Sequence, residues 1–395
     1  MVVGKKHLTI KDILDEIIEA GEPKQMSGLE KAMHGFSWLN LEAGRNLLAL
    51  LEKSPEYDIF NQQLQSLGKT AWSTEVKDLA DWLVERASRV GSDQAINELN
   101  TYIESPKVNV FEVMLLASVY IDDEYQFCNG VKIIKPHQIP NEYLATNIVH
   151  NTYNSVLPFP QVQSVLIARY SQEVKHWSNT DSSGKTPLAD IPINELEEAR
   201  LCLALVRSIG RGIHSIGHGT IAPDNLPFKQ SVSGWSVSSL KQPRLSPSIN
   251  IIKMQAADHL LEKLRKLPLS LKNKLMIPIE KLNHYGSGDK GVDTAIDLRI
   301  CLESIFLSDG NKVQLRYTLS LRAALFLGDT LEKKKEIKKL IRDAYDVTSS
   351  AVHTGKLPTN NTDLLPKAAE IARQSIIKLI NNGAVDWTEI ELQAI

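Results

Sequence analysis

The sequence predicts a predominantly all-α protein: an N-terminal helical region with one small β-hairpin, followed by a C-terminal helical bundle. Three observations predict it. Apolar residues recur at helical spacing through most of the 395 residues. Four amphipathic segments of helix length follow one another near the C-terminus, joined by short stretches, which is the pattern of an antiparallel bundle. Asn129-Gly130, the residue pair best suited to a tight type I′ turn, sits between two β-prone runs and marks the hairpin.

Taken in order, IKDILDEIIEA, LNLEAGRNLLALLEK and EVKDLADWLVERASRV carry the helical period in the first ~120 residues. Ser73 and Glu75, ahead of good helix formers, read as a capped start. The hairpin is expected in EYQFCNGVKIIKP, with helical pattern resuming through VQSVLIARYSQEVKHW. SNTDSSGKTPLADIP then reads as a linker. A helix is expected over INELEEARLCLALVRSIGRGIHSI, and the Ser- and Pro-rich stretch after it favours a small β element in QSVSGWSVSSL. Two further helices, INIIKMQAADHLLEKLRKL and LKNKLMIPIEKLNHY, precede the punctuation Gly286-Ser287-Gly288. The expected organisation is therefore an N-terminal helical domain over 1–178, a helical middle region with a long Ser/Pro-rich loop over 179–286, and a C-terminal bundle over 287–395.

In that last region VDTAIDLRICLESIFLS, VQLRYTLSLRAALFLG, LEKKKEIKKLIRDAYDVTSSAV and LLPKAAEIARQSIIKLINNG each place their apolar residues on one face. Gly328, Gly355 and Gly383 stand where helices should stop.

Composition narrows the function classes. Hydrophobic residues make up 43% and charged residues 23%, a globular balance. A formal net charge of −2 argues against a dedicated duplex-coating protein, which needs a clear basic excess to displace counterions. It leaves room for a local patch, and residues 331–345 supply one: five lysines and an arginine against two glutamates and an aspartate. The three cysteines, Cys128, Cys202 and Cys301, form no CxxC pair, so buried thiols in a reducing compartment are expected. No apolar run reaches the ~18 residues of a membrane span, and the N-terminus has no signal-peptide pattern. A cytoplasmic protein is expected, with no membrane association.

The order AIDLRICLESIFL, LRYTLSLRAALFLG, IRDAYDVTSSAVHTGK and AAEIARQSIIKLINNGAVDW resembles the C-terminal HEPN domain of the Apea-like type, over about 105 residues from roughly 290 to 395. The resemblance implies an all-α bundle that pairs as a homodimer, and RNA as the partner. Active members are metal-independent endoribonucleases, many in prokaryotic antiphage defence or toxin-antitoxin pairs. Their signature is an arginine and a histidine separated by four to six residues. The histidine moves a proton at the ribose 2′-OH or the leaving oxygen, and the arginine stabilises the phosphorane.

Carried over residue by residue, the histidine maps onto His353, the catalytic candidate. Tyr345 and Ser349 fit the surrounding pattern. The arginine position holds Thr348, or Val347 or Asp346 at the longer spacings, and Thr354 intervenes before Gly355. Threonine cannot supply a bidentate cationic fork. Arg342 is some ~16 Å along the helix from His353, whereas Lys356 is near enough in sequence to curl back past Gly355. Thr348, Ser349 and Lys356 are accordingly the substrate-contacting candidates, with no metal and no cofactor. On this mapping, Thr348→Arg should raise nuclease activity.

RSIGRGIHSIGHG offers His214 and His218 four residues apart, and Arg207 and Arg211 beside them, as a weaker metal or phosphate motif. Trp235 in the Ser-rich stretch is a candidate for base stacking. Two readings stand. One is a HEPN-domain effector of a defence or toxin system that binds RNA and cleaves it without metal, its N-terminal region sensing a protein trigger or regulatory partner. The other is a catalytically inactive HEPN protein that binds RNA or nucleotide, or serves as a scaffold or regulatory partner.

Overall fold

In the computed structural model of the chain the described residues are 8–21, 37–61, 63–117, 119–148, 162–173, 175–177, 190–208, 212–237, 248–285, 291–307, 314–357 and 363–392. The domain limits at residues 178 and 286 and the Gly286-Ser287-Gly288 punctuation lie outside them.

The all-α expectation is overturned in the N-terminal half, which is built on a six-stranded and a three-stranded antiparallel sheet. Helices α1 (Ile10–Glu19) and α2 (Glu42–Lys53) lead into a hairpin of β1 (Leu64–Leu67) and β2 (Thr70–Ser73). Then come α3 (Val76–Val90), α4 (Ser92–Glu104), the long strand β3 (Val108–Ala117), and the small hairpin β4 (Tyr125–Gln126) and β5 (Lys132–Ile134). The hairpin stands where Asn129-Gly130 predicts it, with Gly130 at φ 86°. Next are β6 (Val162–Gln172) and β7 (His176–Trp177), in the segment expected to be helical. Helix α5 (Ile193–Leu205) stops short of the expected end, and β8 (His214–Ile221) and β9 (Val232–Val237) follow.

The large sheet runs β4-β5-β6-β3-β8-β9, and the small one β2-β1-β7. Strand β3 is the centre of the large sheet. Its Val113, Leu115 and Ala117 enter one core with Val165, Ile167 and Ile216, while Met114 and Leu116 enter a second core with Leu166 and Leu203. A strand covered on both faces needs no polar alternation, so VFEVMLLA is apolar at every position but Glu112, and periodicity cannot assign it to strand rather than helix. The same cause hides β6, where Ser164 to Ala168 are all buried.

A third core joins α1 to α4 with the β1–β2 hairpin and the start of β3. Where this core meets the one beneath α5, Glu112 is 2% exposed. Its carboxylate accepts from Thr220 Oγ1 at 2.7 Å and faces His218 Nδ1 at 3.4 Å. Burial, above all, raises the Glu112 carboxyl. Gly68, at φ 60°, lets the β1–β2 turn rest directly on this layer: a Cβ there would lie 2.3 Å from Thr220 Oγ1.

The chain continues through α6 (Ile251–Lys266), α7 (Leu269–Tyr285), α8 (Val292–Phe306), α9 (Leu315–Leu327), α10 (Leu331–Thr354), α11 (Leu364–Asn382) and the short α12 (Trp387–Leu392). The four helices expected near the C-terminus are α8 to α11. Their apolar stripes share one core with α5, α6, α7 and the inner sheet face. Buried Arg200 of α5 ties these parts together, donating to the Ile213 carbonyl at 2.6 Å and to Glu280 of α7 at 2.7 Å. No helix among the described residues is long and apolar enough to cross a membrane.

Candidate functional site

Helix α10 carries every residue of the expected site except Lys356, which follows it. Its N-terminus is capped by Thr330, whose Oγ1 accepts from the Lys333 N–H at 3.2 Å. Its C-terminus ends at Gly355 in the left-handed region, φ 67°, with the Gly355 N–H on the Ala351 carbonyl. One face, through Ile337, Ile341, Ala344, Tyr345, Thr348 and Ala351, is buried in the bundle.

Thr348 therefore lies in the core. It is 0% exposed, and its hydroxyl donates to the Tyr345 carbonyl oxygen at 3.0 Å, so its polar atom is satisfied within the helix. Tyr345 is also buried. Its phenol oxygen accepts from Arg299 Nη2 of α8 at 3.1 Å, and the guanidinium lies 4.9 Å from the ring centroid. Burial, above all, raises the Tyr345 phenol, and Arg299 opposes it.

His353 is exposed, and its side chain has no hydrogen bond or ion pair among the described residues. It follows Thr348 by five residues, about 140° round the helix at 100° per residue. The catalytic candidate His353 and the residue at the motif's arginine position thus face different surroundings: Thr348 the core, His353 water. Ser349 is half-buried. Lys356 is exposed, and its backbone N–H donates to Thr354 Oγ1 at 3.3 Å, which folds the chain round Gly355 at the helix end.

A different arginine stands on the His353 side of α10. Asp346 precedes His353 by seven residues, two turns and ~10 Å along the axis. Its carboxylate holds Arg316 Nη2 of α9 at 2.6 Å, with both side chains about half exposed. Beside Arg316, Tyr317 is 51% exposed and carries Lys338 Nζ over its ring at 4.5 Å from the centroid. Lys335 and Lys339 are exposed and form no ion pair among the described residues, while Arg342 lies 3.4 Å from Asp343. This arrangement can bind a polyanion through several cations and one accessible aromatic ring. Sequence reasoning missed Arg316 because no spacing rule links residues on different helices. The available signal was that Arg316 and Tyr317 fall off the apolar stripe of Leu315, Leu319 and Ala323.

The weaker motif takes another form. His214 and His218 lie on β8, where four residues span ~13 Å at 3.3 Å per residue, not the single helical turn that brings two imidazoles to one metal. His218 faces Glu112, and His214 stacks on His284 with centroids 6.1 Å apart. Arg207 is buried, 3.4 Å from the Gly212 carbonyl, and Arg211 lies outside the described residues, as does the Trp235 side chain. Among the described residues no group of three or more His, Cys, Asp or Glu side chains is arranged to hold a metal. No family model, no curated protein and no solved structure matches this chain.

Proposed function

We propose that the C-terminal bundle is a HEPN-like module that binds RNA on the α9–α10 face without cleaving it. One observation carries the reading. Thr348 is fully buried and directed away from His353, so the position that should provide a cation presents neither charge nor surface to a phosphate. A metal-independent phosphoryl transfer needs that charge held against the developing phosphorane. Binding needs less: Lys335, Lys339, Lys338 and the exposed Tyr317 ring suffice for salt-dependent capture of a flexible polyanion. Pairing as a homodimer and service in a defence or toxin system as a regulatory partner belong to the same proposal.

The experiment is a pair of assays on the full chain. Fluorescence anisotropy with a labelled RNA should show binding that weakens with salt and falls in Lys335→Glu/Lys339→Glu. Incubation with total RNA in EDTA should leave the RNA intact, equally for the wild type and His353→Ala. Cleavage abolished by His353→Ala would overturn the reading.

The Arg316–Asp346 pair favours a second reading, in which the bundle is a ribonuclease and Arg316 takes the place of the motif arginine. It requires cleavage that is lost in both Arg316→Ala and His353→Ala.

A further inference from the structure

Away from the bundle, the N-terminal half holds two adjoining cavities of ≈ 500 Å³ and ≈ 580 Å³, which share Glu98, Pro140, Pro223 and Asn225 in their walls. Together they form one cleft between α4, the loop ahead of β9 and the outer face of the sheet. Neither lies near His353, and nothing in the C-terminal reading accounts for them.

The charge of the smaller cavity is decided by which of its ions are already satisfied. Glu98 is the acidic residue in its wall, and both its carboxylate oxygens are engaged. Arg86 Nε and Nη2 grip them at 2.7 Å and 2.9 Å, and Gln94 Nε2 adds a third bond at 3.0 Å. The cations in the same wall, Lys107 and Arg169, are exposed and form no ion pair among the described residues. The charge left to a ligand is positive.

Part of the wall is apolar, formed by Val108, Phe111, Pro140, Pro223 and Leu226. Phe111 of β3 is the register partner of Arg169 of β6, so the two side chains leave the same face of the sheet from neighbouring positions. Pro140 and Pro223 supply rigid walls, and Asn225 an amide that can both donate and accept. In the larger lobe Asp224 offers an acceptor to N–H groups.

We propose that this cleft binds a small organic anion with a planar, hydrogen-bonding body, its anionic group held by Arg169 and Lys107 and its body set against Phe111, Pro140 and Pro223. The site is independent of the RNA-binding face, and a ligand here gives the N-terminal half a chemical input of its own.

The test is calorimetry and thermal melting of the full chain with three probes, AMP, phenyl phosphate and benzoate, beside adenosine and inorganic phosphate as the two halves of AMP. Saturable one-to-one binding of at least one of the three probes is expected, with each half of AMP bound more weakly than AMP where AMP is the ligand. Losing one charge-assisted contact in Arg169→Ala should weaken the bound probe about tenfold or more, and Arg169→Ala/Lys107→Ala should abolish binding. Both side chains are exposed, so the variants should melt with the wild type in the absence of probe. Lys335→Glu/Lys339→Glu should bind the probe unchanged, which separates this site from the α9–α10 face. Failure of all three probes to bind, or unchanged binding in the double variant, overturns the proposal.

Discussion

The Thr348 hydroxyl donates to the Tyr345 carbonyl oxygen at 3.0 Å inside a helix whose buried face both residues share. That bond accounts for a polar residue at the centre of the bundle. It also makes position 348 the worst place on α10 for a charge. Thr348→Arg, which the motif alone marks as a gain of nuclease activity, should instead bury an unpaired guanidinium and cost at least about 3 kcal/mol. A lowered urea midpoint with no new RNA cleavage is the expected result; a stable variant with new nuclease activity would return 348 to the active site.

Gly355 and Gly328 end their helices for different reasons. At Gly355 the backbone is left-handed and nothing lies within 4 Å of an added Cβ, so Gly355→Ala should cost only the backbone strain, about 1 kcal/mol. At Gly328 the φ is an ordinary −78°, but a Cβ would meet the Ala324 carbonyl oxygen at 2.8 Å. Gly328→Ala should therefore displace the α9–α10 junction. Thermal melting, with anisotropy on labelled RNA, should show Gly355→Ala losing stability alone and Gly328→Ala losing RNA affinity as well.

His176 gives the fold a pH dependence. The Tyr102 hydroxyl accepts from Gln65 Nε2 at 3.1 Å and shares a hydrogen bond of 2.9 Å with His176 Nε2. Burial, and then the Lys175 ammonium, push the His176 pKa down to about 4. The unfolded chain takes up the proton first, at about 6.5, so stability present above that pH is lost as the pH falls toward 4, by at most roughly 1.4 kcal/mol per pH unit. The urea midpoint should drop between pH 7 and pH 5, and the drop should shrink in His176→Gln. An equal drop in the variant would assign it to other groups.

Arg200 is 4% exposed and held by Glu197, Glu280 and the Ile213 carbonyl. Burial raises the Glu280 carboxyl, but its hydrogen bond from His284 and the Arg200 charge outweigh that and hold it at about 2. This carboxylate's contribution is present above its unfolded value near 4.5 and is lost as the pH falls toward 2. Arg200→Ala leaves two carboxylates facing the gap and should cost about 3–5 kcal/mol. Glu280→Gln should lessen the loss of stability between pH 5 and pH 3, read by circular dichroism.

By itself the sequence determined the helices α8 to α11 and their glycine stops. Each carries a stripe of apolar residues every three or four positions, and such a stripe is written locally. It also determined the Asn129-Gly130 hairpin, because the turn chemistry lies in adjacent residues. Only the tertiary structure decided that VFEVMLLA and SVLIA are strands. With both faces covered, β3 and β6 lose the alternation that distinguishes strand from buried helix, and their identity rests on partners such as Phe111 with Arg169, 58 residues apart in the chain. The site divided in the same way. His353 before a helix-ending glycine is legible from spacing, but that Thr348 faces the core, and that Arg316 reaches Asp346 from another helix, follow from how α8, α9 and α10 pack. No spacing along one chain segment records which face of a helix its neighbours will cover.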